Sequence, residues 1–463
     1  MNKMNIKRLK VYTFFLFLLC FVACDKSYPE LYLPAVDNSF TSNEHMEDKV
    51  PIMMGLTDPE YAIVMPKRNS RDSKSDGIFD SYETDREDWL NARFNVFAFL
   101  SHNSIEPEKA NYVYGNAPSV YSLMYNEPFR LSSETNDFSL VPADDPTKTF
   151  FYSPERQSCK YKFFIYYADD AAEGESLEID NNHSRLLLPI KIDGTQDLLC
   201  GFAYHTDEEI AEIIKGNADN GDESKLLANY GQELIYSTIA GHRGIQPKFY
   251  LKHLLTRFDL QVKGVKNKQG EENYKDVIIT AVRLQTPTQG KMIVADDAWT
   301  KDNFEDIYKK NEILRFSPNT SSNKTYIHAK VIPNVTEEVG KQHPALTEGF
   351  QLFDTEPITV ANSIVAPPQD EYTLLLNYAY VHRNGSGDIL DSTPMTYQAS
   401  YTIKLQSNES FKPGKQYTIQ IYIYGPQEIN IKIADVPEWE TDGDNIFIEA
   451  GKDPEDNTEE EIK

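Results

Sequence analysis

Tyr417-Thr-Ile-Gln-Ile-Tyr-Ile-Tyr424 alternates its side chains with a period of two: Ile419, Ile421 and Ile423 share one face, and Gln420, Tyr422 and Tyr424 take the other. Successive Cβ atoms of an extended strand point to opposite sides, so this pattern reads as a strand with one buried face. Gly425-Pro426-Gln427 interrupts the run, and Ile429, Ile431 and Ile433 then alternate with Asn430 and Lys432. Two alternating runs about a three-residue break predict an antiparallel hairpin.

The same period recurs along the chain. Phe258, Leu260 and Val262 alternate with Asp259, Gln261 and Lys263, and Tyr401, Ile403 and Leu405 alternate with Thr402 and Lys404. Phe94–Leu100, Tyr161–Tyr167, Val277–Leu284 and Tyr372–Val381 are further strand candidates, separated by polar and Pro-containing stretches. Many short strands with turn signals between them predict an all-β fold of antiparallel β-sandwiches. Helix is scarce. Thr206-Asp-Glu-Glu209 has capping-box spacing before Ile210, Ile213 and Ile214, and a second helix is expected through Ser224 to Ile239. These helices form a minor insertion between two β-rich halves, with the boundary near Gly241 to Pro247.

The chain has 463 residues, which suggests two or three domains. Hydrophobic residues make up 40% and charged residues 25%, enough apolar material for a packed core. Lys plus Arg come to 46 against 72 Asp plus Glu, a net charge of −26. That field repels polyanions, so binding to nucleic acid by bulk charge is excluded.

The first 24 residues place the protein outside the cytoplasm. Lys3, Lys7, Arg8 and Lys10 precede an apolar run from Val11 to Val22, too short to span a bilayer but suited to an export signal. The run ends Phe21-Val22-Ala23-Cys24, similar to the lipobox of bacterial lipoproteins, with Phe where Leu is usual. In that class the Cys, here Cys24, carries the lipid anchor. An ordinary cleaved signal without lipid is the alternative. Cleavage after Ala23 removes four positive charges and takes the net charge from −26 to −30. Cys20 leaves with the signal, and Cys159 and Cys200 remain in strand-like runs. One bridge between them is possible, and two unpaired buried thiols are the simpler expectation.

Catalytic patterns fail. The chain contains no His-Glu-x-x-His, no Gly-x-Ser-x-Gly, no phosphate-cradling glycine loop and no Cys-x-x-Cys pair. Its nine His are scattered, and His253, among Leu251, Leu254 and Leu255, reads as a satisfied half-buried imidazole. Glu438, Glu440, Asp442, Gly443 and Glu449 imitate calcium-loop spacing, but the first position lacks Asp and the flanks are not helical, so they read as a solvated acidic linker. We therefore expect no enzyme, no metal and no cofactor.

Six segments occur in an ordered series. They are the strand Phe94-Asn-Val-Phe-Ala-Phe99, the aromatic strand Tyr161-Lys-Phe-Phe-Ile-Tyr-Tyr167 and Gln196-Asp197-Leu198-Leu199. Then come the His-containing Lys252-His-Leu-Leu-Thr-Arg-Phe-Asp-Leu-Gln-Val262, the turn Pro367-Pro368-Gln369, and Gly414-Lys415-Gln-Tyr417 with Trp439. Together, beside a lipoprotein signal, this series resembles the fimbrillin family, the subunits of Bacteroidia type V pili and their minor-pilin relatives.

The resemblance implies two transthyretin-like β-sandwich domains, at residues 45–243 and 244–445. A signal peptide (1–23) and linker (24–44) precede them, and an acidic tail (446–463) follows. It also implies a lipid-anchored, surface-exposed protein of the outer membrane and fimbrium, serving adhesion. Such a subunit assembles by β-strand exchange after a trypsin-like protease cuts behind its first strand. Here the first strand is expected between Asp48 and Leu56, with Tyr61 to Met65 as an extension. The cut falls in Lys67-Arg68-Asn-Ser-Arg71-Asp72, after Arg68 or Arg71, with Arg86 and Arg93 as later candidates. A merely solvated turn is the alternative for this loop. The donated strand is sought at the C-terminal end, in the hairpin 417–436 or in Ile446-Phe447-Ile448. The implied partners are other pilus subunits, the outer membrane, the processing protease and a host or bacterial surface receptor. The rival from another class is a surface lipoprotein that binds glycan without polymerising, using exposed Tyr and Trp (Trp89, Trp299, Trp439) as sugar platforms.

Overall fold

The computed structural model describes residues 49–56, 90, 92–100, 122–133, 138–153, 160–181, 184–206, 236–242, 245–317, 325–384, 386, 389–390, 393–405, 409–426, 428–435 and 447–449. The chain is mostly β. The first half carries β1 (Met54–Leu56), β2 (Phe94–Leu100), β3 (Ser122–Leu131), β4 (Ser139–Pro142), β5 (Tyr161–Tyr167), β6 (Glu178–Ile179), β7 (Arg185–Lys191) and β8 (Leu199–Ala203), followed by the short helix α1 (Thr238–His242) and β9 (Lys248–His253). The second half carries β10 (Thr256–Gly264), β11 (Val277–Gln285), β12 (Gln289–Asp296), α2 (Lys301–Lys309), β13 (Leu314–Phe316), β14 (Tyr326–Ala329), α3 (Glu337–Gln342), β15 (Phe350–Gln351), β16 (Ile358–Ala366), β17 (Glu371–Tyr380), β18 (Met395–Lys404), β19 (Gln416–Gly425), β20 (Glu428–Asp435) and β21 (Phe447–Glu449).

The first sheet closes on itself in the order β1-β4-β3-β2-β5-β8-β9. Two further sheets, β16-β10-β19-β20-β21 and β14-β11-β17-β18, make up most of the second half. The expected hairpin is the β19–β20 pair, with Ile419 opposite Ile433 and Ile421 opposite Ile431. Its buried face is real: Ile419, Ile421 and Ile423 are fully enclosed.

A fourth sheet, β13-β12-β7-β6, joins the halves, with Met292 opposite Leu188 and Lys291 opposite Pro189. One hydrophobic cluster accordingly runs from Phe97 and Phe164 through Leu188 and Trp299 to Ile423. A second cluster fills the first sheet alone, from Val50 to Phe249.

The run Lys252–Val262 is not one strand. β9 pairs with β8 and lies parallel to β1, whereas β10 lies between β16 and β19. The corner is Leu254-Leu255, both buried, with the Leu254 amide donating to the Leu198 carbonyl at 2.9 Å. Apolar residues on both sides of the corner hide it from a periodicity reading.

The expected helix after Thr206 lies outside the described residues, as does most of Ser224–Ile239. Two helices were not expected. In α2 the Thr300 hydroxyl accepts from the Asn303 amide while the Asn303 side chain accepts from Thr300 N–H, a capping box with Asn in place of Glu. In α3 Thr336 is the N-cap, accepting from the Val339 amide.

Cys200 is a free buried thiol whose Sγ approaches the Ile293 carbonyl at 3.4 Å, and burial pushes its pKa up, away from the reactive thiolate. Cys159 lies outside the described residues.

Candidate functional site

Of the expected first strand, Met54–Leu56 is β1, while Asp48 and the extension Tyr61 to Met65 lie outside the described residues. Residues 50–56 run along the seam where the first sheet closes. Val50, Ile52, Met54 and Leu56 are buried, while Pro51 and Met53 are exposed, Met53 at 60%. The four apolar side chains enter the cluster of Phe94, Phe129, Tyr152, Phe163 and Phe249. Fully burying a side chain of this size is worth about 1.5–3 kcal/mol, so the segment is held chiefly by its apolar edge.

Its backbone bonds divide by parity. On one side the Ile52 amide donates to the Phe150 carbonyl at 2.8 Å, the Leu56 amide donates to Phe138 at 2.9 Å, and Val50 accepts from the Tyr152 amide at 3.0 Å. On the other side the Gly55 amide donates to Pro247 at 3.1 Å. There the Gln246 side chain replaces a strand: its Oε1 accepts from the Met53 amide at 3.0 Å, and its Nε2 donates to the Pro51 carbonyl at 3.4 Å. Regular pairing is short, with Met54 and Gly55 opposite Leu140 and Ser139, and Gly55 and Leu56 beside Lys248 and Phe249. The segment therefore bridges β4 and β9 through a few bonds and closes the sheet.

Two neighbours shape the slot. Gly241 in α1 sits where a Cβ would come within 2.7 Å of Val50 Cγ1 and 2.9 Å of the Tyr152 ring, so a side chain there would push both aside. Tyr152 is enclosed, its hydroxyl buried and without a hydrogen-bond partner among the described residues. A buried unmet hydroxyl costs roughly 1–3 kcal/mol. Tyr152→Phe is therefore expected to leave stability unchanged or raise it by about 1 kcal/mol, measured by denaturant unfolding.

Cys24, Arg68, Arg71 and Arg86 lie outside the described residues, as do Trp89, Trp439 and the acids Glu438, Glu440 and Asp442. Arg93, beside β2, makes an exposed ion pair with Asp144 at 2.5 Å. Trp299 is 1% exposed and packs on Phe164, Phe202 and Phe304, so it offers no sugar platform. The Asp197 and His253 motifs meet: His253 Nδ1 lies 2.7 Å from Asp197 Oδ2, both side chains buried, and Asp197 Oδ1 accepts from the Leu198 amide. The imidazole is partnered, as its apolar neighbours suggested. Gln246 was missed. Its signal, a lone Gln before Pro247, has no local periodicity to stand out from.

The hairpin 417–436 is integral to its sheet, because β19 lies between β10 and β20. β21 is different: among the described residues it pairs with β20 alone, through three residues at the sheet edge.

No protein-family model matches the chain. No curated protein matches it by sequence. Solved structures do match. The chain is similar to a candidate cell adhesion protein from Bacteroides uniformis at 10% identity and a TM-score of 0.40, over 85% of this chain and 99% of that one. It is similar to a candidate cell adhesion protein from Parabacteroides distasonis at 10% identity and a TM-score of 0.34, over 83% and 96%. The fimbrial anchor protein Mfa2 from Porphyromonas gingivalis matches at 10% identity and a TM-score of 0.30, over 83% and 97%. The chain is thus structurally similar, at low sequence identity, to fimbrial and adhesion proteins of the Bacteroidales.

Proposed function

We propose that the chain is a non-catalytic structural subunit of a cell-surface pilus or fimbria, exported as a lipoprotein through Cys24 and assembled by β-strand exchange. The observation that supports this is the seam strand. Residues 50–56 close the first sheet through short ladders and one side-chain clamp, and they are followed by the basic stretch Lys67–Asp72. Withdrawing them would open an apolar slot lined by unpaired backbone groups of β4 and β9, which an incoming strand repairs at once.

The two halves are then transthyretin-like units, the first with its sheet closed on itself, and the boundary expected near Gly241 to Pro247 falls instead at Leu254-Leu255, because β9 pairs with β8 in the first sheet. β21, paired with β20 through three residues at the sheet edge, is the donated segment. The partners are other subunits, the outer membrane through the lipid, and a trypsin-like processing protease.

Limited trypsin digestion of the chain from residue 24 onward tests this. A first cut after Arg68 or Arg71, found by N-terminal sequencing and lost in Arg68→Gln/Arg71→Gln, is expected, with larger species then appearing on size exclusion. Resistance in that stretch, or a cut product that stays monomeric, would contradict it.

A further inference from the structure

We infer that β18 is a self-association edge through which two copies of this chain pair side by side, independently of the seam strand. β18 pairs with β17 over ten consecutive residues without a register shift and is the last strand of its sheet among the described residues. The stretch Met395-Thr-Tyr-Gln-Ala-Ser400 contains no proline, no bulge and no charge, and β18 carries one charge in all, Lys404 at its end. Short length, charge, proline and bulges are the means by which proteins blunt a strand edge.

The other edges among the described residues are blunted or tied. β6, β13, β14 and β21 have two to four residues. β16 is tied along its outer side by the Val331–Ala361 bridge, with the Ile332 amide donating to Val360 and the Asn362 amide to Lys330. β18 stands apart as a long, regular, neutral edge.

Its occupant follows from charge and pattern. The chain carries −26, so two copies repel over most of their surfaces, and a neutral strand is where they approach without that cost. Antiparallel pairing places opposed residues on the same face. A copy of β18 therefore sets Met395, Tyr397 and Ala399 against their own kind, and Thr396, Gln398 and Ser400 likewise. Met395, 48% exposed and the first residue of the strand, gains cover from the second copy. The interface is isologous and closes at two copies.

The test is sedimentation of the chain from residue 24 onward at about 0.15 M salt, where screening is felt beyond about 8 Å. The expected result is a weight-average mass rising toward twice the monomer with concentration. Thr396 and Gln398 are exposed, and Gln398 gives up a 3.4 Å acceptance from Arg283, so Thr396→Lys/Gln398→Lys is checked for an intact fold by circular dichroism and sets like charges across the pair. It is expected to weaken dimerisation by about tenfold or more. A second readout is hydrogen exchange, with the amides of 395–400 protected at high concentration and exposed on dilution. A monomer at every concentration, or a dimer indifferent to the paired lysines, would overturn the inference. Neither outcome depends on proteolysis or on the seam strand.

Discussion

Trp299→Ala is expected to lower the stability of the whole chain by about 3–5 kcal/mol and to move both halves together. The indole sits with ring centroids 5.8 Å from Phe164 and 6.3 Å from Phe202, which belong to the first sheet, and 5.0 Å from Phe304 in α2. Around it the halves are fastened by polar contacts. Lys162 Nζ donates to the Asp297 carbonyl at 2.6 Å, and Arg185 Nε lies 2.6 Å from the buried Asp296 carboxylate. Truncation leaves a cavity where β5, β8 and α2 converge, with no single element free to collapse into it. The indole N–H is buried with no hydrogen-bond partner among the described residues, so Trp299→Phe, which removes that group and keeps a ring, is expected to cost much less than Ala. Thermal unfolding followed by near-ultraviolet dichroism and by hydrogen exchange of β2 and β19 checks both points. Two separate transitions, with only one shifted by Trp299→Ala, would contradict a shared core.

Ile52→Asp is expected to act locally and strongly. Ile52 is buried against the cluster of the first sheet, and its amide is already committed to the Phe150 carbonyl. A carboxylate there has no cation to pair with among the ring and aliphatic groups of that cluster, so the segment must leave or protonate, at roughly 4 kcal/mol or more. The amides of β4 and β9 that face the seam should then exchange faster, while those of β10 and β19 remain protected. Met53→Asp is the control, because Met53 points outward. It is expected to change stability by less than about 0.5 kcal/mol.

Much of the fold was legible because burial imposes a period. Phe94–Leu100 and Tyr161–Tyr167 are β2 and β5 with those limits, and the hairpin lies where Gly425-Pro426 breaks two alternating runs. Pairing between distant strands was not legible. Nothing in Arg185–Lys191 specifies Gln289–Asp296 as its neighbour, since two apolar strands fit one another in many orders, and only the packed whole selects one. The corner at Leu254-Leu255 was hidden for a related reason. A chain that turns inside the core needs no polar or Gly residue to mark the turn. At the seam, the expectation of a strand between Asp48 and Leu56 came from the family resemblance, and the alternating burial of 50, 52, 54 and 56 is seen in the fold. Their closure of the sheet through Gln246 and Gly241 depends on contacts about 190 residues away, beyond any local pattern.

The most direct measurement of the central claim, that the seam strand is exchangeable, is uptake of a labelled peptide of residues 48–57 by the chain after trypsin has cut between residues 57 and 89. Fluorescence anisotropy reads binding, and intact mass reads loss of the resident segment. The expected result is saturable uptake only after cutting, with one peptide per chain and release of the original strand. It should be abolished when the peptide carries Ile52→Asp. A cut chain that keeps its own segment and takes up no peptide would contradict the claim.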